Sequence, residues 1–87
     1  MAYEIIIKPT AEKFFAKLPK DRQIKIFASI EQLTIEPRPI GVKKLKSKLD
    51  LYRIRVGDYR ILYTINDNIL TITIVKIGHR KDVYNKR

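Results

Sequence analysis

The sequence has 87 residues, of which 45% are hydrophobic, and these figures predict one small domain with a single core over residues 1–87. The 19 lysines and arginines outnumber nine acidic residues and give a net charge of +10, which favours contact with phosphates or acidic proteins. The absence of cysteine excludes disulfides and thiolate metal sites, and one histidine cannot form a zinc site alone. The N-terminus fits neither a signal peptide nor a membrane span, so we expect a cytoplasmic protein.

The N-terminal part predicts a strand followed by a helix. The run Tyr3–Lys8 has strong β propensity, and Pro9 ends it. Thr10 can then cap a first helix, which Pro19 stops. Apolar residues recur at helical spacing along one face of this helix: Ala11, Phe14, Phe15 and Leu18.

A second helix follows and completes a helix hairpin. Asp21 can cap it, and at about 100° per residue one face gathers Ile26, Phe27, Ile30 and Leu33, with Ile24 off that face. The run Glu36-Pro37-Arg38-Pro39 cannot continue a helix. The two helices therefore return the chain towards a sheet.

Residues 40–50 form a basic segment that has two interpretations. It is either a solvated connection held by its apolar residues or a loop that contacts RNA phosphates, and both can hold together. The candidate RNA-binding residues of this segment are Lys43, Lys44, Lys46 and Lys48.

The stretch LYRIRVGDYRILYTI, residues 51–65, predicts two strands joined by a Gly57-Asp58 turn. Glycine at the first position of a two-residue loop supplies the positive φ of a II′ hairpin. This turn would place Val56 opposite Tyr59 and Arg55 opposite Arg60.

The two faces of this predicted hairpin differ sharply. One face carries apolar and aromatic residues, which we expect in the core: Tyr52, Ile54, Val56, Tyr59, Ile61 and Tyr63. The other face carries Arg53, Arg55 and Arg60. Because Arg55 and Arg60 would lie directly opposite each other, an anionic ligand between them would relieve their repulsion.

A second hairpin is expected after residue 65. If Asp67 and Asn68 form its loop, the last strand adds Leu70, Ile72 and Ile74 to the apolar face and Thr71, Thr73 and Val75 to the arginine face. Gly78 is expected to break this strand, so that the residues after it turn back over the arginine face. The helix pair would cover the apolar face, which predicts an α+β domain of two layers with an N-terminal strand, a helix hairpin and a three-strand antiparallel meander.

The order of strand, helix hairpin, basic loop, YRIRVGDYRILY and a final IGHRKDVY resembles the RelE family within the RelE/ParE superfamily of toxins, across essentially the whole chain. YRIRVGDYRILY is typical of the superfamily, and ParE-type gyrase poisons share it. HRKDVY is more informative, because RelE-like ribonucleases keep an arginine and a late tyrosine there. On this resemblance the chain is a single RelE-like toxin domain.

The resemblance implies the toxin of a type II toxin-antitoxin system that cuts messenger RNA in the ribosomal decoding site, without metal or cofactor. The 2′-hydroxyl of the RNA attacks the adjacent phosphate, which requires a proton acceptor, cationic groups and a proton donor. The implied catalytic residues are Arg53, Arg55, Arg60, His79, Arg80 and Tyr84.

The general base is open between two of these residues. RelE-type sites often have lysines where Arg53 and Arg55 stand, and arginine cannot give up its proton. Histidine exchanges protons near neutral pH, which favours His79. Tyr84 matches the late tyrosine of the family, although a phenol with an ordinary pKa of about 10 needs cations around it to act as a base.

Two other functions remain open: a ParE-like gyrase inhibitor without enzymatic activity, and a basic module that only binds nucleic acid. A toxin also implies a neutralising antitoxin, with an acidic and partly disordered segment that folds on the toxin. The sequence shows no base-reading platform or deep pocket, so we expect the ribosome to align the RNA.

Overall fold

The computed structural model describes residues 2–45 and 51–79, which form two helices packed on one face of a five-stranded mixed sheet. The strands are β1 Glu4–Ile7, β2 Lys43–Leu45, β3 Leu51–Val56, β4 Tyr59–Asn66 and β5 Thr71–His79, and the helices are α1 Pro9–Ala16 and α2 Lys20–Leu33. The strand order is β1-β5-β4-β3-β2, with β1 parallel to β5 and the other pairs antiparallel. The predicted α+β architecture is confirmed, and β2 is an additional edge strand.

Proline rather than a capping side chain begins each helix. Pro9 is the first residue of α1, where its fixed φ suits a helix and its missing N–H costs nothing, so the predicted Thr10 cap is wrong. Pro19 is the N-cap of α2, and the predicted Asp21 cap is also wrong. Asp21 instead forms an ion pair with Arg22 at 2.6 Å. No helix in the described part of the chain is long and apolar enough to cross a membrane.

The apolar faces of the helices agree with the sequence except at Phe27. In α1, Ala11 is buried and the predicted face packs against the core. In α2, Ile26 and Ile30 are buried, whereas Phe27 is 49% exposed and Ile24 is exposed as predicted. Phe27 follows Ile26 by one residue and is therefore rotated from it by about 100°. The face that α2 buries is thus narrower than predicted.

The β3–β4 hairpin has the predicted register throughout. Val56 pairs with Tyr59 and Arg55 pairs with Arg60. Gly57 has φ +61. Asp58 does not have a positive φ, because Leu70 is the only non-glycine that does among the described residues. A positive φ at the first loop residue alone is the geometry of a II′ turn. The core face of this hairpin is confirmed by the burial of Ile61 and Tyr63, which are both 0% exposed.

The β4–β5 turn is longer than predicted. Asn66 pairs with Thr71, so residues 67–70 form the loop instead of Asp67 and Asn68 alone. The Asn66 side-chain oxygen accepts hydrogen bonds from the Asn68 and Ile69 N–H groups at 3.0 and 3.3 Å, which closes this turn. The register moves by an even number of residues, so Ile72 and Ile74 remain on the core face as predicted.

A β-bulge in β5 reverses the side-chain alternation after Ile74. Tyr63 pairs with Ile74 but Leu62 pairs with Lys76, which leaves Val75 as the extra residue. Ile77 consequently faces the core and is 2% exposed. The prediction that Gly78 breaks the strand is wrong, because β5 continues through Gly78 to His79.

Tyr63 joins the sheet to the segment after α2. Its hydroxyl donates a buried hydrogen bond of 2.7 Å to the Pro37 carbonyl, and its ring stacks on Tyr52 with centroids 5.8 Å apart. Burial raises the pKa of the Tyr63 phenol, so the hydroxyl stays a donor. The expectation that Tyr63 belongs to the core is confirmed.

We expect Tyr63→Phe to destabilise the fold by about 1–3 kcal/mol, because the buried Pro37 carbonyl loses its donor. Chemical denaturation measures this difference, with Tyr59→Phe at a partly exposed position as the control. An unchanged free energy of unfolding in Tyr63→Phe would show that the bond to Pro37 contributes nothing.

A polar cluster at the sheet end near the β4–β5 turn connects segments that are distant in sequence. Arg38 donates from Nε to the Tyr52 hydroxyl at 3.2 Å and from NH2 to Asp67 at 3.0 Å, and its guanidinium lies 5.3 Å from the Tyr52 ring centroid. Tyr3 donates to the other Asp67 oxygen at 2.6 Å. The bonds from Arg38, and then that from Tyr3, lower the pKa of Asp67.

Stability should therefore depend on Asp67 in a defined pH range. A carboxylate whose folded pKa is lowered stabilises the fold above its unfolded pKa of about 3.9, and this contribution is lost as the pH falls through the lower folded value. We expect Asp67→Asn to lower the melting temperature slightly at neutral pH, since the cluster is exposed. The difference in melting temperature between the wild type and Asp67→Asn should disappear in acid. Melting curves at several pH values measure this difference. A gap that stays constant down to about pH 2 would contradict this account.

Candidate functional site

The open face of the sheet, opposite the helices, carries the three predicted arginines. Arg55 on β3 lies directly opposite Arg60 on β4, as predicted, and Arg53 lies opposite Leu62. Their exposure differs: Arg55 is exposed, Arg53 is intermediate and Arg60 is 6% exposed. The three arginines therefore differ in how accessible they are to a ligand.

Arg60 is the buried member of this arginine cluster. Its neighbour on β5 is Gly78, which adds no side chain to the face, and its NH1 donates to the Tyr59 carbonyl at 3.3 Å. Guanidinium keeps its charge when it is buried. Arg60 is thus a buried positive charge directly across the strand pair from the exposed Arg55.

β2 brings one of the four predicted lysines onto this face. Lys43 pairs with Arg53 and is exposed beside it. Lys44 points the other way, because it pairs with Tyr52 and its Nζ lies 5.9 Å from the Tyr52 ring centroid. The structure therefore separates Lys44 from the arginines. Lys46 and Lys48 lie outside the described residues.

Lys76 is a cation of the open face that the sequence analysis missed. Uninterrupted alternation from Ile72 and Ile74 would place it in the core, but the bulge turns it to the open side opposite Leu62. The sequence did indicate this bulge. Strict alternation would bury Lys76 and expose Ile77, and one extra residue before Lys76 exchanges the two faces. We call the set Lys43, Arg53, Arg55, Arg60 and Lys76 the cationic face.

The threonines occupy the opposite end of the same face. Thr64 on β4 pairs with Thr73 on β5, and both are partly exposed. Thr71, which was expected to line the open surface with them, is instead 8% exposed and its hydroxyl donates to the Ile69 carbonyl at 3.0 Å. Positive charge is therefore concentrated at the hairpin end of the sheet.

His79 does not join the cationic face. It pairs with Tyr59, and the two rings are in edge contact with centroids 5.8 Å apart. The Tyr59 ring also contacts the ring of Phe14 in α1, with centroids 6.2 Å apart. The rings of Tyr59 and His79 are therefore on the helix side of the sheet. The expectation that His79 turns back over the arginines is wrong, because the strand continues past Gly78. Arg80 and Tyr84 lie outside the described residues.

Comparison with known proteins decides the family. Residues 5–84 match the family model described as the ParE toxin of the type II toxin-antitoxin system parDE. The toxin RelG of Mycobacterium tuberculosis is 30% identical over 91 residues, which cover 99% of this chain and all of that protein. The chain belongs to the RelE/ParE superfamily of type II toxins.

Solved structures agree with this assignment of a RelE/ParE fold. The archaeal RelE-RelB complex from Pyrococcus horikoshii OT3 contains a chain with 35% identity and a TM-score of 0.82, over 92% of this chain and 97% of that one. The RelBE2 toxin-antitoxin complex of M. tuberculosis contains one with 29% identity and a TM-score of 0.78, over 92% and 100%. The matched names come from both the RelE and the ParE branches.

A groove beside the cationic face of this RelE/ParE chain corrects a further expectation. It has a volume of about 580 Å³ and lies between α2, the 39–43 segment and the β3 edge, where Arg53 and Arg55 line it. The sequence had predicted no deep pocket. The lining residues come from three separate segments, which a local pattern cannot bring together.

The arrangement is suited to bind and polarise a phosphate. Guanidinium groups bind two phosphate oxygens at once, and the exposed Arg55 lies across the strand pair from the buried Arg60. Charges fixed before the reaction stabilise negative charge that develops during it. The cationic face can therefore hold a phosphodiester and stabilise a pentavalent transition state.

Proposed function

We propose that this toxin is an endoribonuclease that cleaves messenger RNA in the ribosomal decoding site and so inhibits translation. The observation that carries the proposal is the cationic face, where an exposed Arg55 lies opposite the buried Arg60 and beside Arg53. Arginines that serve only to keep a surface soluble would stay exposed, because burying a charge is costly.

The proposed reaction is an internal transfer at phosphorus. The base removes the proton of the 2′-hydroxyl, the O2′–P bond forms, the P–O5′ bond breaks, and a proton is delivered to O5′. The products are a 2′,3′-cyclic phosphate and a 5′-hydroxyl. Arg55 and Arg60 neutralise the charge on the non-bridging oxygens, and Arg53 positions the phosphate.

We propose Tyr84 rather than His79 as the proton-transfer residue. His79 is on the helix side of the sheet, in contact with Tyr59, and is separated from the arginines by the sheet itself. Arg80 and Tyr84 follow the end of β5 by one and five residues. A phenol near several guanidinium groups has a lowered pKa, which would make Tyr84 a usable base.

Primer extension on cellular messages after induction of the protein tests the proposed function. We expect cuts within codons of translated messages, which appear within minutes of induction. Growth arrest with intact messages would refute the ribonuclease proposal.

Ribosome dependence is a separate expectation. The cationic face supplies groups that hold a phosphate, and none of its described residues is placed against a ribose, so the ribosome should supply that alignment. We expect the purified protein to cleave ribosome-bound message at least about 10²-fold faster than the same RNA alone, the usual cost of lost orientation. Rates measured by single-turnover assays decide this. Equal rates on both substrates would show that the toxin aligns RNA itself.

Inhibition of DNA gyrase is the second candidate function, because the matching family model is that of the ParE toxin. This function requires no proton transfer and no phosphate cleavage. A supercoiling assay with purified gyrase separates the two: the ribonuclease proposal predicts full supercoiling in the presence of the toxin. Inhibition by equimolar toxin would favour the gyrase function.

We also propose a neutralising antitoxin as the partner. The P. horikoshii and M. tuberculosis structures are toxin complexes with RelB-type proteins. The charge of +10 on this chain favours an acidic partner segment that folds on the toxin.

A further inference from the structure

We propose that the groove beside β3 binds one base of the RNA while the cationic face holds the adjoining phosphate. The inference rests on the proposed function for its natural ligand, and it adds a specificity site to that function. The groove, of about 580 Å³, is within the size range of small-ligand sites in proteins and is large enough for a nucleotide.

The groove exists because β2 is short. β2 pairs with β3 only from Leu51 to Arg53, so the outer edge of β3 beyond Arg53 is left without a strand in the described residues. α2 and the segment from Pro39 to Val42 form the two walls on either side of this edge. Gly41 lies in that segment with φ +93, a conformation that glycine adopts readily and that would strain another residue.

The chemistry of the walls matches the parts of a nucleotide. Two buried apolar residues line the groove, Leu33 and Ile54, which are 1% and 9% exposed, and apolar side chains suit the flat face of a base. Ser29 and Gln32 are one turn apart on α2 and supply hydroxyl and amide groups that can pair with a base edge.

The positive charge lies at the sheet side of the same groove. Lys43, Arg53 and Arg55 line it, and all three also belong to the cationic face. A phosphate on these residues would therefore place its neighbouring base over the β3 edge and into the groove. An arginine guanidinium binds two oxygens of the phosphate at once. The side-chain amide of Gln32 has both a donor and an acceptor, which distinguish one base edge from another.

Titration by two-dimensional NMR tests base binding without relying on cleavage. The probes are the four 5′-nucleoside monophosphates, with ribose 5-phosphate as the probe that lacks a base. We expect the nucleotides, and not ribose 5-phosphate, to shift the amide signals of Gln32, Leu33 and Gly41. Gln32→Leu should weaken nucleotide binding about fivefold through the lost hydrogen bonds. Equal shifts with ribose 5-phosphate would overturn the proposal.

Two further variants guard against a change in fold. Lys25→Leu places the same leucine on the same helix outside the groove and should bind nucleotides as the wild type does. Gln32→Glu keeps the shape of the side chain but loses the donor and repels phosphate, so it should bind more weakly still. Wild-type affinity in both Gln32 variants would overturn the proposal.

The cleavage assay then connects the groove to the proposed function. Gln32→Leu should redistribute the cut sites found by primer extension among the four nucleotides, whereas Lys25→Leu should keep the wild-type pattern. An unchanged pattern in Gln32→Leu would overturn the groove inference alone. A wild-type protein that binds nucleotides but cuts no message would refute the proposed function and leave the groove as a nucleotide site.

Discussion

Arg55→Ala should lower single-turnover cleavage of ribosome-bound message by about 10² to 10³, the usual cost of removing one preorganised group that stabilises transition-state charge. Arg55 is the exposed member of the cationic face and lies directly opposite Arg60. Its removal relieves a like-charge contact, so the melting temperature should hold or rise slightly. Growth arrest in cells should be lost together with cleavage.

Two matched variants separate charge from geometry. Lys13→Ala removes an exposed cation from α1 on the other side of the sheet and should retain full cleavage. Arg55→Lys keeps the charge but loses the planar fork, so its rate should fall between those of the wild type and Arg55→Ala. Full toxicity of Arg55→Ala at equal expression would remove Arg55 from the site.

Tyr84→Phe and His79→Gln should differ by about 10² in cleavage rate, because a positioned acid or base contributes that much and we propose Tyr84 for this role. His79 contacts Tyr59 on the helix side, so His79→Gln should cleave at nearly the wild-type rate. Tyr84→Phe should be slow while still binding RNA. Single-turnover rates and binding of a 2′-deoxy substrate analogue measure the two effects separately.

The pH dependence of the cleavage rate shows whether a slow variant has lost proton transfer or only the correct position of the RNA. If Tyr84 is the base, the rate of the wild type should rise with pH and this rise should be absent in Tyr84→Phe. A slow His79→Gln with a flattened profile would reverse the assignment. Full cleavage by both variants would mean that the arginines carry catalysis by electrostatics alone.

The central hairpin could be predicted from the sequence because its information is local. Gly57-Asp58 fixes the turn, and the turn fixes which residues face each other over the whole of β3 and β4. The arginine side and the core side of the sheet followed from alternation. The helix hairpin could also be predicted from local sequence, since Pro9 and Pro19 mark the starts of its two helices. The capping side chains were nevertheless assigned wrongly.

Features that depend on distant segments could not be predicted. The bulge at Val75 arises from the pairing of β5 with β4, and it alone brings Lys76 to the cationic face and leads His79 to the helix side. The pairing of Arg60 with Gly78 likewise depends on the register between β4 and β5. The groove needs α2, the 39–43 segment and β3 together, which no periodicity in the sequence links.

Mapping the fragment ends of a defined message on purified ribosomes is the most direct test of the central claim, that the cationic face cleaves RNA in the decoding site. The wild type should give one cut within the codon in that site, with a 2′,3′-cyclic phosphate upstream and a 5′-hydroxyl downstream, and Arg55→Ala should give almost none. An intact message after incubation with the wild-type protein would contradict the account.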